Sequence, residues 1–220
     1  LAITANRPDG MSVIGIAREI SALLESTLNF PELNHKYNIH LLKGIKLCPE
    51  AIESNCIYTI SCIDGVNGDK LSPKWLKDRI EKSGIKSINL LVDLTNYILL
   101  EQGQPLHAFD KEKLSNLIGK EVSPEDFSIR KAKNNESLVC LDGKKYELNE
   151  NITVVTCCDK PVAIAGVIGG LETSVSNTTS SIYLEGAVFN PVTIRKSSKA
   201  VGIRTESSSR YEKGISSKNT

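Results

Sequence analysis

A mixed fold of helices and strands is what this chain predicts, and three observations carry the expectation. In Asn89–Asp110 (NLLVDLTNYILLEQGQPLHAFD), Leu90, Leu91, Leu94, Tyr97 and Ile98 recur at helical spacing and would bury one face. Short runs rich in β-branched and aromatic residues, such as Asn55–Ile63 and Ser181–Phe189, read as strands. Clusters of Gly, Pro, Asn and Asp punctuate the chain between them.

In order, Asn6-Arg7-Pro8-Asp9-Gly10 is a turn cluster. Ser12 then caps a helix on which Val13, Ile16, Ala17, Ile20, Leu23 and Leu24 form one stripe. That stripe calls for a partner, either the flank of this domain or another part of a larger protein. Phe30–Pro49 is less regular, and His35 and His40 in it read as surface residues. Asn55–Ile63 ends at the turn residues of DGVNGD. Ser72-Pro73 opens a helix with serine as N-cap and proline at the first helical position, with Trp75, Leu76 and Ile80 as its buried face and Gly84 at its end.

The stretch around which the rest is organised follows. Asp93, Thr95, Asn96 and Glu101 occupy the face opposite the apolar one, Gly103 stops the helix, and Gln104-Pro105 turns the chain. His107 comes just past that turn, beside the polar rim. A binding pocket and an ordinary interior histidine both fit this pattern. Phe127–Ala132, Leu138–Leu141 and Ile152–Cys157 read as strands, and Asp142-Gly143 signals a hairpin.

Lys160–Gly170 (KPVAIAGVIGG) ends in paired glycines but fits neither a phosphate loop nor a dinucleotide fingerprint. A tight turn and a close backbone approach to a ligand are both open for it. Glu185 interrupts an apolar strand. Such an acid is costly to bury unless it accepts a specific hydrogen bond, and strand alternation could equally aim it at water. Asn190-Pro191 caps another helix. From Arg195 to Lys213, Arg195, Lys196, Lys199, Arg204, Arg210 and Lys213 outnumber Glu206 and Glu212, which suits either a phosphate-facing patch or a solvated basic helix.

Composition narrows the classes. At 220 residues the chain can form one large domain or two small ones. Hydrophobic content of 40%, charged content of 24% and a net charge of +1 describe a soluble protein without a global polyanion-binding charge. An aromatic content of 5% argues against an extended stacking platform for single-stranded nucleic acid. No apolar run approaches the roughly 20 residues of a membrane span, and no signal peptide is visible. The six cysteines show no C-x-x-C spacing, so neither a metal site nor a redox pair is expected, and Cys157 and Cys158 read as buried thiols in a reducing, cytoplasmic compartment. The start LAITANRPDG, without an initiator methionine, and the polar ending GISSKNT suggest a piece of a longer protein.

The motifs NRPD, SPKWL, INLLVDLTNYILLEQGQPLHAFD, LDGKKYEL, AIAGVIGG, LEGAVFNPVTIR and RTESSSRYEKG follow one another in this order. Together they resemble the central editing module of the β subunit of bacterial-type phenylalanyl-tRNA synthetase, over nearly the whole chain. The resemblance implies an α+β fold: a three-layer domain containing a β-sandwich of unusual topology, with a flanking N-terminal helix. It divides the chain into a flanking helix and linker from a preceding domain (1–50), an editing domain (51–214) and a tail (215–220). The implied activity is hydrolysis of the ester of tyrosine mischarged on phenylalanine tRNA.

Residue by residue, Glu185 matches the acid that receives the tyrosine hydroxyl, and Gly166 the glycine whose backbone lines the same pocket. Thr95, Asn96 and His107 match positions near the scissile ester and the tRNA terminus. Thr205 and Ser207 match the pocket mouth, where the family pattern has alanine in place of Ser207 and histidine in place of Ser209. By this resemblance His107 and Asn96 position the attacking water or the ribose end, and backbone amides support the developing oxyanion. The implied partners are the acceptor end of phenylalanine tRNA, the remainder of the β subunit and the α subunit. Editing needs no cofactor or metal, whereas ATP and magnesium serve the synthetase active site elsewhere. Two other functions remain open: a non-catalytic RNA-binding or structural module, and a free-standing esterase.

Overall fold

The computed structural model describes residues 2–4, 6–30 and 56–216. His35, His40 and the expected strand start at Asn55 lie outside the described residues. A 3-10 turn, Pro8–Met11, leads into α1 (Val13–Leu23), where the Ser12 side chain caps by accepting from the Gly15 amide at 3.0 Å. Then come β1 (Ile57–Asp64), α2 (Lys74–Lys82), α3 (Leu90–Gln102), β2 (Leu106–Asp110) and α4 (Lys111–Ile118). Five short strands follow: β3 (Phe127–Lys131), β4 (Ser137–Val139), β5 (Lys145–Glu147), β6 (Thr153–Cys157) and β7 (Lys160–Ile164). The chain closes with β8 (Ile168–Gly169), β9 (Ser181–Val188), α5 (Pro191–Val201) and α6 (Glu206–Tyr211). The fold is α+β, with antiparallel sheets.

One sheet has the order β1-β9-β2 and another β3-β6-β7-β8, with β4-β5 as a separate hairpin turned at Asp142-Gly143. The two larger sheets share one core. The Phe127 ring bridges them, lying 5.6 Å from Phe109 and 5.3 Å from Tyr183. Strand β9 distributes its residues by alternation. Tyr183 and Ala187 enter the main core, whereas Ile182 packs outward with Leu91 of α3 and Ala108. Helix α3 therefore covers the outer face of the first sheet and makes the third layer.

Several expectations need correction. The apolar face of α3 is not the one predicted, since Leu94 is exposed while Leu91, Leu99 and the carboxylate of Asp93 are buried. Asp93 is satisfied there by the hydroxyls of Ser72 and Ser87, each at 2.5 Å, and by the amide of Ile88 at 2.9 Å. Ser72 thus binds Asp93 instead of capping α2, whose N-cap is Pro73 with no side-chain bond. Leu76 and Ile80 are buried as expected, but Trp75 is 52% exposed. In α1 the stripe faces solvent at Val13, Ile20 and Leu23, and the helix meets the domain through small residues, with Ser12 against Gly103. Cys157 is buried, but Cys158 is exposed at a left-handed turn. The ending has packing logic at Ile215, which lies against the main core.

Candidate functional site

The edge of the sandwich opens into a cavity of about 530 Å³, a size that suits a small organic ligand. Three elements meet there: α3, the paired strands β2 and β9, and the glycine-rich turn from β7 to β8 with α6 behind it. Register decides what the strands present. His107 on β2 lies directly opposite Glu185 on β9, so both side chains leave the same face of the sheet. That face is the inner one, since His107 stacks edge-on against Phe109 of the core with ring centres 4.4 Å apart.

Glu185 is 6% exposed. Burial pushes its carboxyl up to about 7, and a hydrogen bond from the Tyr58 hydroxyl, 2.8 Å from Oε2, pulls in the opposite direction. The alternative that alternation would aim Glu185 at water is therefore excluded. Burial also holds the His107 imidazole down, to about 4, so it is neutral at physiological pH. Its Nε2 is shut away from solvent and has no hydrogen-bond partner among the described residues. Gly169 makes room for this ring, because a Cβ there would sit 2.3 Å from His107 Cε1.

Gly166 lines the cavity at φ +65°, a left-handed conformation that glycine adopts without strain. A side chain would also meet Ile194 and Tyr211 at 2.9 Å, so the turn fits only without one. The stretch is a tight strand connection, as one of the two options had it, and its backbone also borders the cavity. Thr205 borders it as well, but its hydroxyl is committed, donating to the Val167 carbonyl at 2.9 Å and accepting from the Ser208 amide at 3.0 Å as the N-cap of α6. Ser207 lies on the same rim, whereas Ser209 does not line the cavity.

On the opposite wall, Thr95 and Asn96 face the cavity from α3. The Thr95 hydroxyl donates to the Val92 carbonyl at 2.8 Å, which leaves its oxygen able to accept a further bond. Asn96 has no side-chain partner among the described residues, which suits it to bind a ligand. All seven residues singled out in the sequence thus border one space. Sequence reasoning missed Tyr58, the room that Gly169 gives the imidazole, and the apolar wall of Ile85, Ile88 and Val167. The signal for Tyr58 lies in strand pairing between distant segments, which one sequence does not display.

The basic run divides in two. Arg195, Lys196, Lys199 and Arg204 are exposed. Arg210 is buried, pairing with Glu206 at 2.6 Å and donating to the Met11 carbonyl at 3.0 Å, and Lys213 donates to the Ile3 carbonyl at 3.2 Å. Those two cations tie the N-terminal segment to α6. Among the described residues no group of three or more His, Cys, Asp and Glu converges as metal ligands, and no helix is long and apolar enough to cross a membrane.

A sandwich whose inner face carries a buried acid and a neutral imidazole beside a largely apolar, ligand-sized cavity has the makings of a binding domain for a small organic group. Residues 54–220 match the B3/4 domain, and the chain belongs to that family. Across its whole length it is 96% identical to a phenylalanine–tRNA ligase beta subunit of Prochlorococcus marinus (strain MIT 9312) and 77% identical to that of Prochlorococcus marinus subsp. pastoris. It spans 27% of the length of each. An N-terminal fragment of the phenylalanyl-tRNA synthetase beta-subunit from Pyrococcus horikoshii aligns with 94% of this chain and 60% of its own, at a TM-score of 0.44 and 15% identity.

Proposed function

We propose that this chain is the editing module of a cytoplasmic phenylalanyl-tRNA synthetase, hydrolysing tyrosine mischarged on phenylalanine tRNA. The observation that carries this reading is the Glu185 carboxylate, buried on the cavity wall where an apolar ring would leave it short of donors. The synthetic site of such an enzyme has an apolar pocket, which rejects an isostere bearing one extra hydroxyl only weakly. A second pocket that demands the hydroxyl removes the error. Tyrosine donates its phenol to Glu185, whereas phenylalanine leaves a buried acceptor unmatched, a difference of roughly 1–3 kcal/mol.

The ester end of the substrate lies toward His107, Asn96 and Thr95. A neutral imidazole with a titration near 4 is a weak base but a good hydrogen-bond partner, so His107 orients the attacking water or the terminal ribose. Asn96 shares that task. Water adds to the carbonyl carbon, the ribose oxygen leaves with a proton, and free tyrosine and intact tRNA result. The chemistry calls for no cofactor. The partners in this reading are the acceptor end of phenylalanine tRNA, the rest of the β subunit and the α subunit.

The test is deacylation of tyrosyl- and phenylalanyl-charged phenylalanine tRNA, with Glu185→Ala alongside. Fast loss of tyrosine alone, abolished or made indiscriminate by the substitution, is the expected result. Activity in the assembled enzyme but not in this chain alone would mean that docking comes from elsewhere. Silence from both would leave a non-catalytic RNA-binding or structural module and refute the proposal.

A further inference from the structure

Tyr58 stands behind Glu185, on the strand that flanks β9 on the side away from His107. It pairs with Ala187 and Ile60 pairs with Glu185, so the Tyr58 ring reaches the carboxylate on the diagonal of the sheet's inner face. Both side chains are buried, and Tyr58 is not part of the cavity wall. An ionised carboxylate only accepts hydrogen bonds and has about four lone-pair directions, of which one phenol uses one. The Tyr58 bond therefore fixes the orientation of Glu185 and leaves acceptor capacity for a ligand.

We propose that Tyr58 sets the specificity of this pocket: by donating to Oε2 it holds Glu185 as an oriented, ionised acceptor, and so determines how strongly a tyrosyl ester is preferred over a phenylalanyl one. The proposal rests on the editing reading and adds to it a positioning residue that touches no substrate. The other titratable groups around Glu185 do not serve instead. His107 on β2 is held neutral by burial, and burial pushes the Cys56 thiol, just ahead of β1, to about 12 and holds the Tyr211 phenol on α6 well above its ordinary range. Glu206 and Arg210 on α6 pair with each other. Among these neighbours the Tyr58 hydroxyl is the group that favours the charged carboxylate.

A protonated Glu185 penalises phenylalanine less, because a neutral carboxyl left unpaired beside an apolar ring costs less than an ionised one. The ratio of tyrosyl to phenylalanyl deacylation should then rise with pH through the titration of Glu185, near 7. The experiment measures that ratio from pH 6 to 8.5 in the intact protein, for wild type, Tyr58→Phe and a form with 3-fluorotyrosine placed at position 58. Tyr58→Phe should move the midpoint upward and lower the ratio at pH 7.5 by about tenfold, the loss expected for one buried hydrogen bond to a charged group. The fluorinated phenol is a stronger donor in the same ring and should move the midpoint downward. It decides the matter even if Tyr58→Phe does not fold. Wild-type ratios and midpoints in both forms would overturn the role of Tyr58 while leaving the editing reading intact. A wild type inactive on both esters would overturn the editing reading itself.

Discussion

Glu185 and His107 are moved from their ordinary titrations in opposite directions, and their effects on stability oppose each other. The folded carboxyl titrates near 7 against 4.5 for a free one, so its contribution to stability is full below pH 4.5 and is lost as pH rises through 7. The folded imidazole titrates near 4 against 6.5, so its contribution is full above pH 6.5 and is lost as pH falls through 4. Each is on the order of 3 kcal/mol, and between pH 4.5 and 6.5 they largely cancel. Glu185→Gln should therefore gain stability with rising pH across that range, and His107→Gln should lose it. Urea midpoints at several pH values check this, and two variants as flat as wild type would contradict it. The neighbouring glycines separate function from stability. In Gly169→Ala the new methyl displaces the imidazole, and deacylation should fall on the order of a hundredfold, the scale for a misplaced group in an active site. In Gly170→Ala it meets the Val162 carbonyl at 2.5 Å, backbone that cannot step aside, so thermal stability should fall instead, by roughly 1–3 kcal/mol.

The segments before and after α2 are tied to α3 by the buried carboxylate of Asp93. Asp93→Ala leaves two hydroxyls and an amide without their acceptor and should lower stability by roughly 2–4 kcal/mol, while Glu81→Ala on the exposed face of α2 should be nearly neutral. Thermal melts of the two variants check the difference. Where an element depends on its own residues, the sequence already displays it. Gly103 ends α3 in the left-handed conformation, Asn190 caps α5 with its side chain, and Asp142-Gly143 turns the hairpin. Strand β2 and helix α4 were not legible. Leu106–Asp110 is a strand because β9 lies beside it, and α4 carries only one buried residue, Leu114, to mark a face. The face of α3, and Trp75 on α2, depart from expectation for a related reason: spacing gives a period, but the partner decides which side is covered. Of the seven candidate residues, Thr95, Asn96, His107, Glu185 and the Gly166 turn drew notice through their own patterns with two readings each, Thr205 and Ser207 only through the order of motifs, and Tyr58, whose partner lies on another strand, through neither.

Across the molecule, the N-terminal segment is held by few bonds. Arg210→Met should cut its tie to Met11, and hydrogen exchange in Val13–Leu23 should quicken while β9 stays protected. Equal protection in both forms would show that the Arg210 bond does not hold α1 in place. The four exposed cations of α5 and its following turn form a small patch for a phosphate backbone. If that patch alone meets tRNA, affinity should fall with salt at a log–log slope of about −3 to −4, and replacing Lys196 and Lys199 by Ala should flatten it by roughly half. The inner face of the first sheet has one more consequence. Successive residues of a strand point to opposite sides, so adding or deleting one residue within Leu106–Asp110 would swing the imidazole out toward α3 while Glu185 stayed in place. Point changes can retune this site by degrees, but a single-codon insertion would dismantle it at once. Over evolutionary time its descendants should therefore vary in side chains while keeping the length of that strand.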